Sequence, residues 1–113
     1  MHELSIAISI VDTAVKQAKM AMAHGISEVE LDIGTLSGIE FESLELALGV
    51  AAKETILEKT LFRINRVEPV AECPACGHLY TPERIFSPCP RCGRQGIRVI
   101  RGTELQIKSL LVE

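Results

Sequence analysis

Tryptophan is absent from this 113-residue chain, and aromatic side chains make up only 4% of it. That excludes the stacking platform on which single-stranded nucleic acid is commonly held. Long apolar runs are missing too. The most apolar stretch, 4–23, is broken by Asp12, Lys16 and Lys19, so nothing reads as a membrane-spanning helix of about 20 apolar residues. The start, Met1-His2-Glu3, lacks the basic residues of a secretory leader. There is no low-complexity tract, no nucleophile–base constellation and no phosphate loop, so an enzyme is not expected. Net charge is −3, which is not the balance of a polyanion binder. The expected compartment is the cytoplasm, where cysteines serve as ligands more readily than as disulfides.

What is present suits a small globular protein: 47% hydrophobic and 24% charged residues. Leu4, Ala7, Ile8, Val11, Val15, Ala18 and Met22 recur at three- and four-residue steps, predicting a first helix that closes at His24-Gly25. From 28 to 34, Val29, Leu31 and Ile33 alternate with Glu28, Glu30 and Asp32, the pattern of a half-buried strand. Thr35–Gly38 turns the chain into a second helix from about Glu40 to Glu54, with Phe41, Leu44, Leu48 and Ala51 as its apolar stripe. Its early carboxylates Glu40, Glu42 and Glu45 suit the positive helix end better than a metal site. Residues 60–69 predict a strand ended by Pro69. Alternation returns at 103–112, with Leu105, Ile107 and Leu111 on one face. The order is helix, strand, helix, strand, insert, strand. It divides into a core domain, 1–70 with 102–113, and a small module, 71–101.

That module holds all four cysteines, as Cys73-Pro74-Ala75-Cys76-Gly77 and Cys89-Pro90-Arg91-Cys92-Gly93, with twelve residues between Cys76 and Cys89. Two intervening residues let both sulfurs of a pair reach one ion, and the trailing glycine permits the turn that aims backbone N–H groups at sulfur. Four thiolates at about 2.3 Å make a closed tetrahedral zinc site of structural type. Iron held as in rubredoxin uses the same knuckles, and two disulfides or a redox pair are further alternatives. His78, next to the first knuckle, reads as a surface turn residue. Arg84, Arg91, Arg94, Arg98 and Arg101 against Glu72 and Glu83 give residues 71–102 a net charge of +3, leaving −6 on the remainder. A basic ribbon raises two other readings, a zinc-ribbon nucleic-acid binder and a docking module for an acidic protein.

The amino terminus offers a second donor set. The terminal amine, the His2 amide nitrogen and the His2 imidazole can chelate one ion, and the Glu3 amide can add a fourth nitrogen. Such a tetragonal set suits Ni(II) or Cu(II). Met1 is expected to persist, because its removal generally requires a small second residue. The helical pattern begins at Leu4, so His2 abuts an ordered element and not a long tail.

Met1-His2-Glu3-Leu4-Ser5, Ile33-Gly34 after the first strand, and the paired knuckles near the end together resemble the HypA/HybF family of hydrogenase nickel-incorporation proteins over the full length. The resemblance implies an α+β fold, with a small three-stranded mixed sheet, two helices and an inserted zinc-ribbon-like module. It implies a nickel metallochaperone: Ni(II) bound by the Met1 amine, His2 and Glu3, and structural Zn(II) on Cys73, Cys76, Cys89 and Cys92. A HypB-type GTPase and the large subunit of [NiFe]-hydrogenase are the implied partners, with urease maturation served in some organisms. Glu54-Thr55 stands where a glycine-containing turn is expected.

Overall fold

The structure, a computed structural model, describes residues 2–113. Two compact units emerge. One comprises residues through Asp32, Ile39–Asn65 and Gln106–Glu113; the other comprises Ile33–Gly38 and Arg66–Leu105.

In the first unit, helix α1 (Glu3–Met20) packs against α2 (Phe41–Ala52). The buried face of α1 is Glu3, Ala7, Ile10, Val11, Ala14 and Ala18. This corrects the expected stripe: Leu4, Ile8 and Met22 are exposed, and Ile10 and Ala14 take their place. Alanines let helix backbones approach closely, so the smaller residues face inward although the larger ones look more apolar. Leu44, Ala47, Leu48 and Ala52 answer from α2. With Val29, Leu31 and Leu57 they make up the buried core.

Helix α1 also ends earlier than expected. Met22 adopts φ 54°, its N–H bonds the Lys19 carbonyl (3.0 Å), and the Ala23 N–H bonds the Ala18 carbonyl (2.9 Å). This is the Schellman closure with methionine in the left-handed seat that Gly25 was expected to fill. Helix α2 starts where expected, with Glu40 as its cap. The Glu40 carboxylate accepts the Ser43 N–H (2.8 Å), the Ser43 hydroxyl (2.7 Å) and the Glu42 N–H (3.3 Å). Those bonds, led by the Ser43 hydroxyl, hold its carboxyl below the usual range. The helix stops in a turn closed by the Thr55 N–H on the Ala52 carbonyl (3.1 Å), with Lys53 at φ −58°, ψ 138° and Glu54 at φ 62°. Those angles define a type II turn, whose third position favours glycine.

Strands β1 (Ile26–Gly34), β2 (Leu61–Val67) and β6 (Leu105–Val112) form a sheet in the order β2-β1-β6. The Thr60 hydroxyl reaches the Ile26 carbonyl (2.6 Å) and the Thr35 N–H the Val67 carbonyl (3.0 Å), so β1 and β2 run parallel across the α2 crossover. The Glu113 N–H bonds the Gly25 carbonyl (2.9 Å) and the Gly34 N–H the Glu104 carbonyl (2.8 Å), so β6 runs antiparallel. The sheet is mixed, as expected. Val29, Leu31 and Ile33 are fully buried. On the opposite face Arg63 pairs with Glu28 (2.8 Å), and Asn65 donates to both Glu30 (2.8 Å) and Asp32 (3.0 Å). Ser109 donates to Glu30 as well (3.1 Å). On β6 the expected alternation slips: Ile107 and Leu110 are half-buried, while Leu105 and Leu111 are exposed. β6 is an edge strand, covered on fewer sides than β1.

The second unit contains a smaller antiparallel sheet, β4-β3-β5, from β3 (Val70–Glu72), β4 (Leu79–Tyr80) and β5 (Arg98–Arg101). In this unit the backbone at Gly34 meets that at Gly102. The Leu36 N–H bonds the Gly102 carbonyl (2.7 Å), and a Cβ on Gly34 would lie 2.0 Å from that carbonyl. Two substitutions test these backbone arguments in urea denaturation of the metal-loaded protein. Gly34→Ala is expected to lose at least about 3 kcal/mol, the upper end of overpacking costs. Glu54→Gly is expected to gain about 0.5–1 kcal/mol, because relief of the left-handed strain exceeds the added chain entropy.

Candidate metal centres

Each knuckle is a turn in which glycine takes a positive φ, 75° at Gly77 and 74° at Gly93. The Gly77 N–H closes on the Cys73 carbonyl (2.8 Å) and the Gly93 N–H on the Cys89 carbonyl (2.7 Å). Incoming and outgoing chain are tied as well: the Cys73 N–H bonds the His78 carbonyl (3.0 Å) and the Cys89 N–H the Arg94 carbonyl (3.1 Å). The two turns are near-copies, and between them they bring all four sulfurs within 4.8 Å of one another.

The sulfur spacing suits a tetrahedral ion. Cys73 and Cys92 sulfurs lie 3.6 Å apart, and Cys76 and Cys89 sulfurs 3.7 Å apart. A regular tetrahedron with metal–sulfur bonds of about 2.3 Å has edges of about 3.8 Å. Both separations are well beyond the roughly 2.05 Å of a disulfide bond, and all four thiols are free. Cys73 and Cys89 are buried, and Cys76 and Cys92 are exposed.

Electrostatics prepare the cluster for a cation. The Cys76 amide holds the Cys73 thiol down to about 6. Burial opposes ionisation of Cys89, but the amides of Cys92 and Arg91 outweigh it and the thiol is lowered. Although the Arg94 amide favours its anion, Cys92 is pushed up to about 11 by its bond to the Cys73 sulfur and by the other sulfurs. Without a positive charge at the centre the last proton stays. A divalent ion removes that obstacle, and the donor set suits a structural Zn(II).

Tyr80 closes one side. Its hydroxyl donates to the Ser87 carbonyl (3.1 Å), and burial, then the nearby sulfurs, raise its pKa. His78 stacks on Tyr80, ring centroids 6.0 Å apart, and is not among the clustered donors. Tyr80 was not singled out in the sequence; its place on β4 becomes visible only through the pairing of Ala71 with Tyr80.

At the other end, Met1 lies outside the described residues. His2 occupies the cap position of α1, exposed, with φ −107° and no capping bond from its side chain. The α1 ladder begins with the Ile6 N–H on the His2 carbonyl (3.0 Å). The Glu3 side chain turns inward: it is buried, and its Oε2 accepts the Glu40 N–H (3.2 Å). The Glu3 carboxylate thus ties the first turn of α1 to the start of α2.

Residues 1–112 match the family described as "Hydrogenase/urease nickel incorporation, metallochaperone, hypA". The chain belongs to the HypA family. A hydrogenase maturation factor HypA from Parabacteroides distasonis is 41% identical over 113 residues, covering 100% of this chain and 98% of that one. Its counterpart from Chlorobium phaeobacteroides is 40% identical, with both chains fully covered. The solution structure of the Ni metallochaperone HypA from Helicobacter pylori superposes with a TM-score of 0.73 at 24% identity, covering 99% of this chain and 97% of that one. At that identity the likeness speaks for the fold: two helices, a small mixed sheet and a clustered four-cysteine module.

Removing the metal separates this cluster from the hydrophobic core. In Cys73→Ser, or after chelation, β3, β4 and β5 are expected to lose their dispersed amide signals, while the helical circular dichroism of α1 and α2 persists. Metal binding displaces thiol protons, so affinity falls with pH. Release should steepen below about 6, where the Cys73 thiol itself takes up a proton. A zinc-release assay across that range checks both points. A small sheet still ordered after chelation would remove the structural role.

Proposed function

We propose that this protein is a cytoplasmic nickel metallochaperone. It binds Ni(II) through the Met1 amine, His2 and the Glu3 amide, and passes the ion to the large subunit of [NiFe]-hydrogenase during maturation. Membership of the HypA family supplies the general role. The exposed His2 at the cap of α1, ahead of a ladder that starts at Ile6, supports the terminal site most directly. Among the described residues no helix is long and apolar enough to cross a membrane, in keeping with this placement.

The chemistry follows from helix geometry. The first amide groups of a helix are not donors in its ladder. Coordination by the His2 and Glu3 nitrogens therefore takes no bond away from α1. The amides lose a proton on binding, the imidazole must be neutral, and the resulting tetragonal nitrogen field suits Ni(II). Mild acid reverses each step, by protonating the imidazole and returning protons to the amides. Because the ligands come from one short, exposed peptide, a recipient can replace them one at a time without unfolding the core.

In this reading 1–70 with 102–113 form the nickel-binding domain, and 71–101 is a zinc module held by Cys73, Cys76, Cys89 and Cys92. That Zn(II) would fix the module's fold and take no part in the transfer. A HypB-type GTPase is the proposed partner in loading, and urease maturation a second outlet.

The test is nickel titration by calorimetry of tag-free protein with its native terminus. His2→Ala and a version with one residue added before Met1 run alongside. Both should weaken nickel binding by more than about 100-fold, since loss of a mere outer-shell partner already costs 10–100-fold. Zinc content and helical signal should stay unchanged. Equal affinity in all three proteins would sink the terminal site.

A further inference from the structure

The segment between the knuckles carries a feature that metal binding does not use. Ile85 and Phe86 are the central residues of a tight turn, Arg84–Ser87, closed by the Ser87 N–H on the Arg84 carbonyl (3.1 Å). Turn centres normally hold Gly, Asn, Asp or Pro. Here they hold two large apolar side chains, Ile85 at 47% and Phe86 at 79% exposure. The other phenylalanines, Phe41 and Phe62, are half-buried.

The turn is braced. The Ser87 hydroxyl accepts the Arg84 N–H (3.0 Å), the Tyr80 hydroxyl donates to the Ser87 carbonyl (3.1 Å), and Pro82 is buried beside it. The backbone that carries the apolar pair is therefore held at a fixed place and loses little freedom on docking. Preorganised aromatic anchors next to arginine are the usual source of interface affinity. Arg84 flanks the pair, and the exposed Arg91, Arg94 and Arg101 belong to the same unit.

We propose that the Arg84–Ser87 turn is a docking knob, which seats Ile85 and Phe86 in an apolar, carboxylate-rimmed pocket on the enzyme precursor that receives nickel. Charge argues for such a protein surface over a lipid one. The segment 71–102 is +3, but the whole chain is −3. An anionic bilayer meets the field of the entire molecule, whereas a pocket reads only the charge within about 8–10 Å of it, that of the basic segment around the knob. The identity of the partner rests on the delivery role proposed above.

Binding of the full-length, zinc-loaded protein to purified hydrogenase large-subunit precursor tests this by calorimetry. Ile85→Ser/Phe86→Ser is compared with Leu46→Ser, a control at an equally exposed apolar position of α2 (74% exposed), and with Phe86→Leu. The double variant should bind at least ten-fold more weakly with zinc content unchanged. The control should match the parent, and Phe86→Leu should recover most of the loss. Raising the salt should weaken the parent complex. If the double variant binds like the parent, the knob is overturned and the delivery role stands. If the parent itself does not bind the precursor, the delivery role fails and takes the knob with it. Phe86-dependent binding to phosphatidylserine vesicles, with no effect on the precursor, would reassign the turn to a membrane and overturn the proposal.

Discussion

Four sulfur atoms within 4.8 Å of one another are the constraint on which the second unit depends. Its apolar core is slight: Ala71 is buried on β3, and Cys73 and Cys89 are themselves among the buried residues. Strands of three, two and four residues cannot hold together on ladder bonds alone. The knuckle turns fix where the sulfurs point. The sulfurs fix the chain between them, and Tyr80 transmits that order to the loop beyond through Ser87. The first unit follows the opposite logic. Its core of Leu31, Leu44, Leu48, Leu57 and Val29 is fully buried and contains no donor for a metal.

How much of this was legible in the sequence depends on whether the cause is local. The cysteine spacing was decisive because a knuckle is a local object: five residues contain the turn, both donors and the amides that stabilise them. β1 was legible for the same reason, since Val29, Leu31 and Ile33 alternate with carboxylates whatever lies next to them. The partners of those carboxylates were not legible. Arg63, Asn65 and Ser109 reach Glu28, Glu30 and Asp32 only once β2 and β6 have chosen their registers.

The departures share a cause as well. The α1 stripe was assigned by counting apolar residues, yet close helix contact selects small ones. Ala7, Ala14 and Ala18 thus turned inward and Leu4 and Ile8 outward. Both helix ends were sought at glycine, but Met22 and Glu54 take the left-handed seats themselves. Gly34 was noted only as part of a motif. Its reason is a backbone contact with Gly102, sixty-eight positions away, which spacing does not reveal. The strands β3, β4 and β5 are too short to carry a period at all.

The two donor sets differ in ways that would keep a resident ion and a cargo ion apart. The cysteine set is tetrahedral, sulfur-only and closed, with two of its four donors buried. Ni(II) gains most from a tetragonal nitrogen field, and Zn(II), with no preference from d-electrons, loses nothing in a tetrahedral one. Losing the cysteine ion would release both knuckles at once, because its four donors all sit in or beside those turns. The proposed terminal set would lie before the first ladder bond of α1, which runs from the Ile6 N–H to the His2 carbonyl, so its exchange would leave every helical bond in place. Glu3 joins the two demands within one residue: its nitrogen stays at the exposed end of the helix, while its carboxylate, on the Glu40 amide, holds that end still. On the proposed reading, a first helical turn tied down through Glu3 would present an ion at a defined position and release it without cost to the fold.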